Sequence, residues 1–166
     1  MVREILKLKI VEGVAIGLVS GVIVALFTYW LNLPPVRADI DVVIKTSAKQ
    51  DAGTDGSLTL IINNFDGRSD RVMVSGGAGE NDKRLERGLK TEEYFSEVLS
   101  GDVVSLELQF IPEGRKPGWL PEWVTIKNRQ TGEVFCFQFG GDGDWLSHNR
   151  ARSRIVPKSL DLAKCK

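Results

Sequence analysis

The chain has 166 residues, and its 22 lysines and arginines are balanced by 22 aspartates and glutamates. Zero net charge argues against general nucleic-acid binding. A single histidine leaves no zinc pattern, and two cysteines are too few for a disulfide framework.

Residues 1–12 form a short basic flank with Arg3, Lys7 and Lys9. From Gly13 to Leu31 nothing is charged. At about 1.5 Å per residue this run would span roughly 28 Å as a helix, close to a bilayer core. The pattern predicts one transmembrane helix over residues 13–33. Within it Gly13, Gly17, Gly21 and Ala25 recur every fourth residue and share a helix face. Small residues let backbones approach closely in lipid, so these four are the expected helix–helix interface, towards other membrane subunits or identical chains. Tyr29 and Trp30 suit a membrane-interface belt, and Asn32-Leu33-Pro34-Pro35 ends the helix. A secretory signal is the competing reading, with Val36-Arg37-Ala38 as a cleavage site, but the apolar run exceeds the usual signal length. The basic flank predicts a cytoplasmic N-terminus and an extracytoplasmic domain.

From residue 34 to 166 the period changes from helical to alternating, over enough chain for one domain with a real core. Ile40, Val42 and Ile44 mark a half-buried strand, and Leu58, Leu60 and Ile62 mark the next. Asp66-Gly67 is a hairpin signal, with Val72 and Val74 on the return strand. Residues 79–90 are polar and read as a short helix or a long loop. Tyr94 to Leu99 reads as a strand or edge segment, and Val104, Leu106, Leu108 and Phe110 make the longest alternation. A Gly/Pro-rich loop carrying Trp119 follows. Val124 and Ile126 start another strand, then Phe135, Phe137 and Phe139 share one face with Cys136 and Gln138 on the other. Arg150 to Val156 is the last predicted strand. About eight short strands separated by turns predict an antiparallel β-sandwich. Residues 57–64 and 98–108 resemble the strand-and-turn style of immunoglobulin-like and fibronectin-like modules in bacterial surface and membrane-anchored proteins. The Cys…Trp…Cys arrangement of antibody domains is missing. The expected fold is therefore mainly β, an N-terminal transmembrane helix followed by an immunoglobulin-like sandwich.

No nucleophile, base and orienting group stand in a recognisable pattern, so no catalytic residue, metal or cofactor is expected. Asp142 and Asp144 in a glycine-rich loop lack the further ligands of a calcium site and read as a turn. Arg150, Arg152 and Arg154 alternate, and on a strand they would form a one-faced ladder for an anionic ligand or partner. A solvated strand edge is the plainer reading. Trp119 is a candidate partner contact. Cys136 and Cys165 are a candidate disulfide in an oxidising compartment, with two unrelated thiols as the alternative. These features predict a non-enzymatic, single-pass accessory subunit of a membrane complex, docked in the bilayer through its glycine face. The alternative is a self-oligomerising membrane effector or pore whose β domain senses an anionic ligand.

Overall fold

Strong period-2 alternation puts apolar side chains on one side of each strand, and two such sheets bury them against each other. The computed structural model describes residues 22–23, 37–74, 83–99, 101–113, 118–147 and 152–165. The chain divides into two units, Met1–Pro35 and Val36–Lys166. In the first, Val22 and Ile23 are helical and exposed. Gly13, Gly17, Gly21, Ala25, Tyr29 and Trp30 lie outside the described residues.

The described residues of the second unit form ten strands: β1 (Arg37–Thr46), β2 (Ser57–Asn64), β3 (Ser69–Val74), β4 (Lys90–Leu99), β5 (Val103–Ile111), β6 (Gly118–Trp119), β7 (Pro121–Asn128), β8 (Val134–Gln138), β9 (Leu146–Ser147) and β10 (Ser153–Pro157). The first sheet has the order β4-β1-β7-β8 and the second β10-β5-β2-β3; β6 and β9 form a small ribbon. All pairings among these named strands are antiparallel. The core lies between the sheets. Ile40, Val42, Ile44, Val124, Ile126, Phe135 and Phe137 from the first sheet meet Leu58, Leu60, Ile62, Leu106, Leu108 and Phe110 from the second.

Two departures from simple alternation have a common cause. The β2–β5 register shifts between Asn63 and Asn64, which pair with Ser105 and Val103. This bulge turns Val103 into the core and leaves Val104, expected inward, exposed. A second bulge sets Asp39 of β1 against two residues of β4. There Glu97 takes a left-handed φ of 56°, its carbonyl accepting from the Arg37 guanidinium. The β2–β3 hairpin carries Gly67 at φ 80°, in keeping with the Asp66-Gly67 signal. Residues 83–89, where a helix or loop was expected, form turns that bury Leu85.

Trp119 is not at the surface. It is fully buried, stacks on Phe110 with ring centroids 6.4 Å apart, and its indole N–H donates to Thr46 Oγ1 at 3.1 Å. Its loop context suggested a contact role. The β6–β9 pairing instead folds it over the end of the core, where the large ring gains more by burial.

Candidate functional site

The strand directions bring one set of turns to one end of the sandwich. The β2–β3 turn, the β4–β5 turn, the β7–β8 turn and the segment after β10 all lie where β1 begins. At this rim the β2–β3 turn satisfies its own polar groups. The Gly67 N–H donates to the Asn64 carbonyl at 3.1 Å, and the Asp66 carboxylate accepts the Arg68 N–H at 3.0 Å. The Phe65 N–H donates to the Asp102 carbonyl at 2.8 Å. With the backbone so held, the Phe65 side chain stands 81% exposed. The Asp102 carboxylate pairs with Lys158 Nζ at 2.9 Å, and Lys158 also lies over the Phe135 ring. Two residues on, Leu160 is 98% exposed, followed by half-exposed Leu162. Two large apolar tips thus share one rim with Arg68 and Lys158.

The sequence analysis missed Phe65 and Leu160. The available signal was an apolar side chain inside a turn or polar tail, where burial has nothing to offer it.

The tail crosses onto the outer face of the first sheet. The Ser159 N–H donates to the Cys136 carbonyl at 2.7 Å, and Cys136 and Cys165 form a disulfide. Cys165, Cys136 and Trp123, with Val43 against them, make a small apolar cluster separate from the core. Beside it a groove of about 580 Å³ runs along this face, lined by Asp41, Glu92, Tyr94, Lys127, Arg129 and Cys165 among others. Two of its charges, Asp41 and Arg129, are spent on each other. Arg129 Nε donates to Asp41 Oδ1 at 2.8 Å and its guanidinium stacks over the Tyr94 ring at 4.6 Å. The hydrogen bond with Asp41 raises the Arg129 pKa above its ordinary value. Tyr94 is also raised, first by its hydrogen bond to Asp39 and then by desolvation. The guanidinium, the phenol and the two carboxylates together form a clasp across the outer face of the sheet.

The arginine ladder is not assembled as expected. Arg150 lies outside the described residues, β10 begins only at Ser153, and Arg152 precedes it. Arg154 Nε pairs with Asp144 Oδ1 at 2.7 Å. That carboxylate is buried, and its Oδ2 accepts the Gly141 N–H at 3.0 Å. Among the described residues no three His, Cys, Asp or Glu side chains come together as a metal site.

A family model for the PLAT/LH2 domain matches residues 40–156, most of the chain. The chain belongs to the PLAT/LH2 domain family. Over 116 residues it is 28% identical to lipoxygenase homology domain-containing protein 1 of Homo sapiens, covering 69% of this chain but 5% of that protein. The chain thus spans a small fraction of the curated relatives it matches. Among solved structures, a coral 8R-lipoxygenase superposes with a TM-score of 0.59 at 22% identity, over 74% of this chain and 17% of that one. The alpha toxin of Clostridium absonum gives a TM-score of 0.53 at 17% identity, over 77% of this chain and 33% of that one. These likenesses show the fold.

Membership of the PLAT/LH2 family corrects two expectations. The sandwich belongs to this family and not to the immunoglobulin-like modules whose strand style it shares. The single-pass membrane subunit, the self-assembling pore and the assigned topology are not supported. Among the described residues no helix is long and apolar enough to cross a membrane, and the family match lies in the β domain. PLAT domains mediate lipid or protein interactions, so function is to be sought on the sandwich surface.

Proposed function

We propose that the β domain, from residue 34 onward, is a non-catalytic docking module that seats its turn-bearing rim on a lipid surface. The observation that carries this reading is the pair of apolar tips, Phe65 and Leu160, at one end of the sandwich. An exposed Phe in the β2–β3 turn and an exposed Leu in the tail after β10 gain when apolar material covers them, by about 1.5–3 kcal/mol for each fully buried side chain. Arg68 and Lys158 beside them suit the headgroup level, where long basic side chains keep their charge wet while their stems lie against apolar surface. Acidic Asp66 and Asp102 balance them, so apolar insertion, and not net charge, is the main drive.

The solved coral 8R-lipoxygenase is described as activated by calcium through a C2-like domain. Asp144 is held by Arg154, and the described residues supply no cluster of three ligands. Docking is therefore expected to survive a calcium chelator.

The test is hydrogen exchange of the full chain with and without phosphatidylcholine vesicles, alone and doped with phosphatidylserine. Amides over 63–69 become protected, with EDTA present or absent, and Phe65→Ser raises the lipid needed for half-protection about tenfold. Equal protection in Phe65→Ser and the parent chain would show that the rim is not the contact.

A further inference from the structure

We propose that the Cys136–Cys165 disulfide is a redox-operated latch that fixes the C-terminal tail, and with it Leu160, at the docking rim. The effect on docking rests on the lipid-surface reading above; the latch itself does not.

The tail has few other holds. The Lys158 and Ser159 N–H groups donate to the Val104 and Cys136 carbonyls at 2.8 and 2.7 Å, which ends its sheet-like attachment. Beyond that point the hydrogen bonds are local, and the Asp161 carbonyl oxygen lies 3.7 Å from Cys136 Sγ. The Ala163 N–H donates to Asp161 Oδ1 at 3.0 Å, and the Cys165 N–H to the Leu162 carbonyl at 3.2 Å. Leu160 through Lys164 are exposed, and the 3-10 turn Leu162–Lys164 buries nothing. The turn runs beside β8, and after it Cys165 returns to the protein surface. Its Sγ lies 4.0 Å from the carbonyl oxygens of Val124 and Phe137, seated on the outer face beside Trp123 and Val43. Leu160 therefore sits between two anchors, Ser159 before it and the disulfide after it. Removing the second leaves it anchored from one side only.

Of the two cysteines, Cys165 is the one that lines the groove. Cys136 is fully buried, whereas Cys165 is 9% exposed. A dithiol reductant entering from the groove meets Cys165 Sγ. Its thiolate attacks that sulfur, the S–S bond breaks, and Cys136 leaves as a thiolate that takes up a proton. The reductant's second thiolate then attacks its own sulfur in the mixed disulfide and expels Cys165, which is protonated in turn. Two electrons and two protons pass to the protein, and the reductant ends as a disulfide. Freed of this bond, the tail no longer covers Trp123 and Val43, and Leu160 loses its fixed place beside Lys158.

Hydrogen exchange of the full chain tests this, oxidised, reduced with dithiothreitol, and as Cys165→Ser without reductant. Amides over 160–165 are expected to exchange at least tenfold faster in the reduced and Cys165→Ser forms, while β5 amides stay protected and report an intact fold. The lipid needed to half-protect 63–69 on phosphatidylcholine vesicles rises several-fold in both. Unchanged tail exchange in the reduced wild type overturns the latch and leaves the lipid reading untouched. Faster tail exchange with unchanged vesicle half-protection overturns its link to docking. If the oxidised chain shows no vesicle protection at all, the lipid reading fails, its link to the latch fails with it, and tail exchange decides the latch alone. Should Cys165→Ser misfold, the reduced wild type carries the test.

Discussion

The interior seam and the outer face of the first sheet are built from the same strands, yet they are held by different means. Between the sheets, strand after strand contributes two or more fully buried apolar side chains, so many contacts specify the same packing. On the outer face a cluster of Trp123, Cys136, Cys165 and Val43 depends on one covalent link. The comparison teaches that one sheet can carry a redundant face and a conditional one. The conditional face is the place to look for regulation, because the core cluster between the sheets does not include its residues.

The sharpest test of that contrast is Leu108→Ala, which empties a fully buried site at the middle of the seam. It is expected to cost about 2–5 kcal/mol, read as a lower urea midpoint with unchanged slope. Breaking the outer face instead, Cys165→Ser should cost up to about 3–4 kcal/mol on the chain-entropy estimate for a 29-residue separation. Tail amides over 160–165 that speed up no more than the β5 amides would show that the two regions open as one cooperative unit. A smaller effect comes from Trp119→Phe, which keeps the stacking on Phe110 but removes the donor to Thr46. Calorimetry should find a loss of about 1 kcal/mol.

The faintest signal belongs to the exposed clasp of Asp39, Tyr94, Asp41 and Arg129. Tyr94 holds its proton more tightly in the fold than its ordinary value of 10.0, so above that pH the unfolded chain gives up a proton that the folded chain keeps. Stability should fall as pH rises through about 10 towards the raised folded value. Tyr94→Phe should flatten that part of the urea-midpoint profile between pH 9 and 11. An unchanged profile would mean the clasp contributes nothing to the outer face.

Much of the fold was legible because alternation is a local code. Ile40, Val42 and Ile44, and likewise Phe135 and Phe137, reveal their inward face from spacing alone. Val104 was misread since a bulge is decided by the partner strand, and Asn63-Asn64 offers no local sign of it. Trp119 was misread for a related reason. A tryptophan beside Gly and Pro looks like a loop tip until β9 arrives to pair with it. Of the candidate site little could be seen. Phe65 and Leu160 are single apolar residues in polar surroundings, and no periodicity marks them.

The sequence by itself determined the β class, the turn at Asp66-Gly67 and the two-faced strand β8, because each depends on neighbours a few residues apart. It also named Cys136 and Cys165 as candidate partners without deciding between a bond and two thiols. Only the tertiary structure decided which turns share an end, where the tail returns, that Arg154 faces Asp144, and that two sulfurs 29 residues apart meet. These are long-range pairings, set by strand order and register, and strand order is a property of the packed sandwich that no single segment of the chain encodes.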